Sequence, residues 1–245
     1  MNISIGQQEK YYINNKYYKY DDSVGKIYYG ASEVLSYHIA HKLGIDEHIQ
    51  YWLEFRGDRV AAVSDDFCLS YPRQTDLWSY LGDSLTILPN PKTFDDFRDK
   101  LQKLADFTST PIVRLMYMLW DDLINLNVDR HFGNITLLCN EYGMTLSPLY
   151  DFGQGWLVSN HYITEENVDS LIHGCTFEPF NISYDKAVKW YSKIMPIPVD
   201  LKSITSSFVL SILERCAEYY PESYLETRYT LVGRQIELLR EATET

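Results

Sequence analysis

The sequence reads NLNVDRHFGN from residue 125 to residue 134 and, after a short interval, PLYDFG from residue 148 to residue 153. In the first stretch Asp129 and Asn134 are separated by four residues, and Asp151 follows 17 residues after Asn134. The interval between the two stretches is apolar, then polar, then apolar, which predicts a short strand–turn–strand. Such a hairpin would bring the three oxygen-bearing side chains together.

This order of carboxylate, amide and carboxylate is the one that kinases use for phosphoryl transfer. A kinase needs a carboxylate beside the acceptor hydroxyl, an asparagine for one Mg²⁺, and an aspartate before Phe-Gly for the bridging metal. Mg²⁺ prefers oxygen ligands and takes only one or two carboxylates from the protein. Asn134 and Asp151 are therefore predicted metal ligands, and Asp129 is the predicted catalytic base. Each motif alone is also explained as a loop cap or a turn, so the interpretation depends on their joint occurrence.

The first third of the chain predicts a small β-rich lobe, which we place at residues 1–72. The pair Asn14-Asn15 tolerates the left-handed conformation of a tight hairpin turn. Strands are expected at residues 10–13, 16–20, 50–55 and 59–63, and a helix at residues 31–43.

The remainder, residues 73–245, predicts a helical lobe that carries the catalytic loop. Residues 71–91 contain several Pro and Gly and are expected to be irregular. Helices are expected at residues 94–107, 111–126, 185–194, 201–219 and 224–239, and short strands at 135–139 and 144–146. The predicted fold class is therefore α+β, a two-lobed protein-kinase-like fold with a β-rich N-lobe and a helical C-lobe.

The first lobe of such a fold must supply a lysine for the nucleotide phosphates and a glutamate on the following helix. Lys19 ends a strand-like run and Glu33 opens the next predicted helix, so we pair them as the nucleotide-binding residues. Alternatives stay open, because Lys10, Lys16 or Lys26 could replace Lys19. Glu33 could also simply favour the start of the helix.

Charge and composition narrow the class of protein. The net charge of −12 over 245 residues disfavours binding to a nucleic-acid backbone, but a metal ion would still allow a nucleotide ligand. No apolar run approaches the roughly 20 residues that span a bilayer, and the first residues do not read as a signal peptide. The four cysteines are scattered, which favours a reducing compartment. We therefore expect a cytoplasmic protein with no nucleic-acid partner and no membrane span.

The pattern Asn-x-Asp-Arg-His-x-x-Asn, followed by two short strands and LSPLYDFG, resembles the C-terminal catalytic domain of HipA-like bacterial serine/threonine kinases, especially their compact CtkA-like members. The resemblance implies ATP and Mg²⁺ as cofactors, a protein Ser/Thr substrate and, as one option, an antitoxin-like partner. It implies Asp129 as base, Asn134 and Asp151 as metal ligands, and Arg130 and His131 as residues that shape the loop. His131 would lie near the γ-phosphate, and we include it with the catalytic residues.

One departure from the kinase pattern concerns the phosphate-binding loop. No Gly-x-Gly-x-x-Gly is present, and Gly6 is the only glycine before Gly25. Either residues 3–10 form a reduced lid, or the first strands of the lobe are missing. Two other functions stay open: a lipid or small-molecule kinase of the same fold, and a pseudokinase that binds nucleotide or a partner without transfer. An activation segment is expected at residues 154–160.

Overall fold

The computed structural model describes residues 8–45, 47–141 and 143–243. The proposed lid at residues 3–10 therefore lies mostly outside the described residues. The first part of the described chain is an antiparallel sheet with strand order β1-β2-β4-β3 and one helix packed against β2, β3 and β4. These elements are β1 (Lys10–Ile13), β2 (Lys16–Tyr20), α1 (Tyr29–Lys42), β3 (Trp52–Arg56) and β4 (Arg59–Asp65).

The first hairpin has the predicted strands and the predicted turn. Asn14 and Asn15 have φ of 51° and 60°, the left-handed values that a two-residue turn between antiparallel strands requires and that Asn tolerates. The register pairs Lys10 directly with Lys19. Residues paired in this way project from the same face of the sheet, so both lysine side chains lie on one side of the hairpin.

Helix α1 begins two residues earlier than the sequence predicts. The carboxylate of Asp21 accepts the backbone N–H of Gly30 at 2.8 Å, so a distant residue satisfies a first-turn donor that has no partner within the helix. A Cβ at Gly30 would lie 2.6 Å from Tyr220 Oη, so this close approach requires glycine. Gly44, at φ +76°, follows the last turn as predicted. The helix carries Glu33 on its buried side.

The second part of the chain is mainly helical, with two small antiparallel sheets of order β5-β6-β7 and β8-β9. Short 3₁₀ turns occur at Gly82–Ile87, Phe132–Asn134 and Leu201–Ser203. The elements are β5 (Arg73–Asp76), α2 (Leu77–Leu81), α3 (Phe94–Thr108), α4 (Ile112–Ile124), β6 (Thr136–Asn140), β7 (Gly143–Leu146), α5 (Val168–His173), β8 (Thr176–Phe177), β9 (Ile182–Ser183), α6 (Tyr184–Ile194), α7 (Ser206–Cys216) and α8 (Glu222–Thr243).

Two local predictions were wrong. The stretch 71–91, expected to be irregular, contains a strand and a helix. Strand β5 pairs with β6, and Asp76 accepts the N–H of Ser79 to begin α2. The helix expected over residues 201–219 is broken before α7, where Thr205 Oγ1 accepts a first-turn N–H and starts a new helix.

The core lies between α3, α4 and α6 and continues towards α1 and α8. Phe97 of α3 and Trp120 of α4 are fully buried, and both pack against the ring of Tyr191 on α6. The C-terminal half of α4 is buried on all sides, including Asp121 and Asp122. Within the described residues, no helix is long and apolar enough to cross a bilayer. The division of the chain after residue 72 stays a prediction.

Candidate active site

The loop between α4 and β6 is anchored by a buried ion pair. Arg130 is 1% exposed, and its Nε and Nη2 lie 3.1 and 3.0 Å from Oδ1 of Asp122. Its Nη1 donates to the backbone oxygens of Asn134 at 3.1 Å and Tyr150 at 2.6 Å. Burial opposes the charge, but Asp122 raises the pKa of Arg130 above its ordinary value. One guanidinium thus fixes the loop between α4 and β6 relative to the PLYDFG segment.

Within this loop, local hydrogen bonds orient the predicted residues. Asn134 Nδ2 donates to the backbone oxygen of Asp129 at 2.9 Å, which leaves Oδ1 as the amide atom suited to a cation. His131 is exposed, and its Nδ1 accepts the N–H of Gly133 at 3.0 Å. Burial raises the pKa of the Asp129 carboxyl, and Asp151 raises it further against the opposing effect of His131. Asp129 is therefore a stronger base than an exposed aspartate.

The Asp-Phe-Gly segment is fixed by α1. Asp151 has φ of +64°, a left-handed conformation that Asp tolerates better than most residues. The N–H of Phe152 donates to Glu33 Oε2 at 2.9 Å, and its carbonyl accepts from Ser32 Oγ at 2.5 Å. The buried Phe152 ring stacks on His48 at a centroid distance of 4.3 Å. These contacts keep Phe152 inside and direct Asp151 to the opposite side.

Lys19 joins α1 to Asp151. Its Nζ lies 2.5 Å from Glu33 Oε1 and 2.6 Å from Asp151 Oδ1, and all three side chains are buried or nearly so. Burial disfavours the lysine charge, but the two carboxylates raise the pKa of Lys19 well above its ordinary value. Burial likewise acts against the charge on Asp151, yet Lys19 and Lys10 lower the pKa of that carboxyl. The Asp151 carboxyl is therefore ionised at neutral pH.

Two cavities meet at these residues. The larger, of about 770 Å³, is lined by Asp129, His131 and Asn134. The smaller, of about 220 Å³, is lined by Lys19 and, among others, by the aromatic side chains of Tyr11, Tyr17, Tyr51, Phe67 and Tyr150. Both cavities are lined by Lys10, Gly133, Asn134 and Asp151. A third cavity, of about 820 Å³, lies between α5, α7 and α8, and none of the six predicted site residues lines it.

The structure thus brings Lys19 into contact with both Glu33 and Asp151. It places Asp129, His131 and Asn134 around a cavity that Asp151 also lines. Of the alternatives to Lys19, Lys16 lies by Asp65 at 3.8 Å. Lys10 reaches the site as well, with Nζ 3.5 Å from Asp151 Oδ2.

Sequence reasoning overlooked several residues that hold the site together. Lys10 was considered only as a replacement for Lys19, although the two-residue turn at Asn14-Asn15 pairs the two lysines directly. Asp122 and His48 gave no signal in the sequence, because their roles arise from tertiary packing: Asp122 bonds to Arg130 in the loop after α4, and His48 stacks on Phe152.

The segment after Asp-Phe-Gly is held by the last helix of the described chain. Arg228 on α8 is 1% exposed and donates to the backbone oxygens of Trp156, Leu157 (2.7 Å) and Asn160. Trp156 also donates through Nε1 to Ser36 Oγ on α1 at 3.1 Å. The stretch expected to be an activation segment is therefore held in this structure by contacts with α8 and α1.

The chain has a kinase-like fold. The chain is similar in structure to the proinflammatory kinase CtkA of Helicobacter pylori, with a TM-score of 0.70 and 16% identity over 100% of this chain and 93% of that chain. It is also similar to HipA of Shewanella oneidensis MR-1, solved with HipB and operator DNA, with a TM-score of 0.57 and 17% identity over 100% of this chain and 67% of that chain. The sequence matches no protein-family model and no curated protein.

At these identities the comparison shows the fold alone. The predicted α+β, two-lobed kinase-like fold is confirmed, and so is the resemblance in fold to CtkA and HipA. The roles of the individual site residues stay predictions.

Proposed function

We propose that this chain is an ATP- and Mg²⁺-dependent phosphotransferase that phosphorylates Ser or Thr hydroxyls of another protein. The observation that supports this most strongly is the contact of Lys19 with both Glu33 and Asp151, beside a cavity lined by Asp129 and Asn134. Kinases need this set of groups in one place, and phosphoryl transfer depends mainly on positioning and charge.

The smaller cavity suits the nucleoside part of ATP. Its aromatic walls offer flat apolar surface to a purine, and Lys19 lies at its edge towards Asp151. A lysine held by two carboxylates keeps its charge while buried. Because its side chain is already ordered, binding phosphate oxygens costs little further conformational entropy.

The residues present fit a divalent cation. Asn134 Oδ1 and the Asp151 carboxylate are hard oxygen donors, and they would hold Mg²⁺. The bound ion would neutralise part of the phosphate charge. Among the described residues no cluster of three or more His, Cys, Asp or Glu side chains forms a ready metal site. A protein that contributes only two ligands and leaves the others to phosphate and water is the usual arrangement for Mg²⁺.

In the proposed reaction Asp129 orients the acceptor hydroxyl and takes its proton. The acceptor oxygen bonds to the γ-phosphorus of ATP as the bond from that phosphorus to ADP breaks, and ADP leaves. Its raised pKa brings it closer to the range in which a carboxylate is an effective base. His131, exposed on the same cavity, would contact the γ-phosphate or the acceptor.

A transfer assay tests the proposal and separates it from the alternatives. Purified protein is incubated with labelled ATP and Mg²⁺, and with either a cell lysate or a lipid extract. Asp129→Asn is the control. Label in protein bands that the control lacks supports the proposal, whereas label in lipid identifies a lipid kinase. Nucleotide binding without transfer to either identifies a pseudokinase.

We also propose a cytosolic protein that is regulated by an antitoxin-like partner. The observation that supports this is that HipA, in the second comparison structure, was solved with HipB. The test is whether a protein that co-purifies with this chain lowers its transfer activity. A co-purifying protein that leaves transfer unchanged would contradict this part of the proposal.

A further inference from the structure

Two lysines of the first hairpin face the same carboxylate. Lys10 and Lys19 are directly opposite each other in the β1–β2 register, so their side chains project from one face. Like charges in such a pair are destabilising by themselves. Here the two oxygens of Asp151 lie near both ammonium groups and offset the repulsion.

The two oxygens of Asp151 are held unequally. Oδ1 lies 2.6 Å from Lys19, whose side chain is 6% exposed, and Lys19 is also fixed by Glu33. Oδ2 lies 3.5 Å from Lys10, whose side chain is 26% exposed. An ion pair that is long and reached by water contributes little to stability. A cation could therefore bind Oδ2 with little loss of folding stability.

Lys10 also borders both cavities that meet at Asp151. Nucleotide phosphates in the site would carry more negative charge than one divalent cation cancels, so further donors are required. Lys19 already contacts two carboxylates. The sequence has no Gly-x-Gly-x-x-Gly motif whose backbone N–H groups could surround the phosphates. Lys10 is the cation on β1 placed to supply the missing charge.

We propose that Lys10 has two successive roles: it neutralises Asp151 Oδ2 before a divalent cation binds, and it binds the nucleotide phosphates afterwards. This inference rests on the proposed function. A cation at Oδ2 would replace the Lys10 charge there. The released ammonium then contacts phosphate oxygens, which makes Lys10 a second phosphate-binding lysine beside Lys19.

The two roles predict effects of opposite sign in Lys10→Ala. Mn²⁺ alone, followed by electron paramagnetic resonance, should bind up to about fivefold more tightly, because a competing charge is gone. Mg²⁺·ATP, followed by calorimetry, should bind at least about tenfold more weakly, because a charged hydrogen bond to phosphate is lost. Adenosine should bind with unchanged affinity. Lys10→Arg should restore most of the Mg²⁺·ATP affinity.

Lys16→Ala is the matched control, because it removes a lysine of the same hairpin whose Nζ lies by Asp65. It should change none of the three affinities. If Lys10→Ala does not fold, Lys10→Gln replaces it in the same measurements.

Parallel weakening of all three ligands would mean that Lys10 only supports the hairpin, and unchanged binding would mean that it has no role. Either result overturns the inference and leaves the proposed function standing. Failure of the wild-type protein to bind Mg²⁺·ATP would instead overturn the proposed function itself.

Discussion

Replacing Lys19 by Met tests the electrostatic design of the cleft. The substitution keeps the length of the side chain and removes its charge. Glu33, which is fully buried, and Asp151 would then face each other without a cation between them. Removing one partner of a buried ion pair typically costs about 3–5 kcal/mol, because the remaining charge is stranded. Domains are commonly stable by only about 5–15 kcal/mol, so the expected loss is a large fraction of the total.

The pH dependence of this loss has a definite sign. In the wild type the pKa of Asp151 is lowered, so its stabilising effect is present above the unfolded value of about 4 and is lost as the pH falls through the folded value. In Lys19→Met two like charges share a buried site, which raises a carboxyl pKa. A raised carboxyl pKa favours folding below about 4 and loses that effect as the pH rises. The difference in the free energy of unfolding between wild type and variant therefore widens from pH 4 to pH 7.

Urea denaturation at several pH values measures this gap. Lys16→Met is the control, because its lysine is partly exposed and 3.8 Å from Asp65, and it should lose less than about 1 kcal/mol at every pH. The double variant Lys19→Met with Glu33→Gln should recover part of the loss, since it removes a stranded charge. A loss below about 1 kcal/mol at pH 7, or one that does not shrink in acid, would refute the reasoning.

Three further predictions concern other parts of the site. Asp129→Asn should bind Mg²⁺·ATP nearly normally in a thermal-shift titration yet lose about 10²–10⁴-fold in transfer rate, whereas Asp151→Asn should lose Mg²⁺-dependent binding first. Equal transfer by wild type and Asp129→Asn would exclude the base assignment. Burial lowers the pKa of His48 to about 3. Between about pH 6.5 and 3 the unfolded chain therefore binds one more proton at His48 than the folded chain, and the free energy of unfolding should fall as the pH is lowered. His48→Phe should lack that component, and identical pH profiles would contradict the assignment. Arg228→Met should speed hydrogen exchange at residues 156–160, and unchanged protection there would show that the segment is held by other contacts.

The sequence was most informative where structure depends on neighbours along the chain. The turn at Asn14-Asn15 requires two left-handed residues, and its length alone sets the register that aligns Lys19. The period-four apolar pattern of α1 and the glycine after it are similarly local, and they placed Glu33 on the correct element.

Elements that depend on distant partners were not predictable in this way. Strand β5 exists because β6 pairs with it some 60 residues later, and its own sequence, RQTD, has no strand character. Asp122 gave no signal in the sequence, and the family resemblance gave Arg130 only a loop-shaping role. The two residues become an anchor when α4 and the loop after it bury them together. The motifs therefore predicted which groups meet, while tertiary packing decides how they are held.

The contact of Arg228 with the segment after Asp-Phe-Gly has a consequence for synthesis of the protein. Arg228 lies 72 residues after Trp156, whose carbonyl it binds. Domains begin to fold while the ribosome is still adding residues, at about 5–20 per second. The catalytic loop and Asp151 thus leave the ribosome seconds before the residue that fixes the segment beside them. During synthesis the chain therefore contains all the motif residues before α8 is available. The segment after Asp-Phe-Gly gains its contacts with Arg228 only when α8 packs.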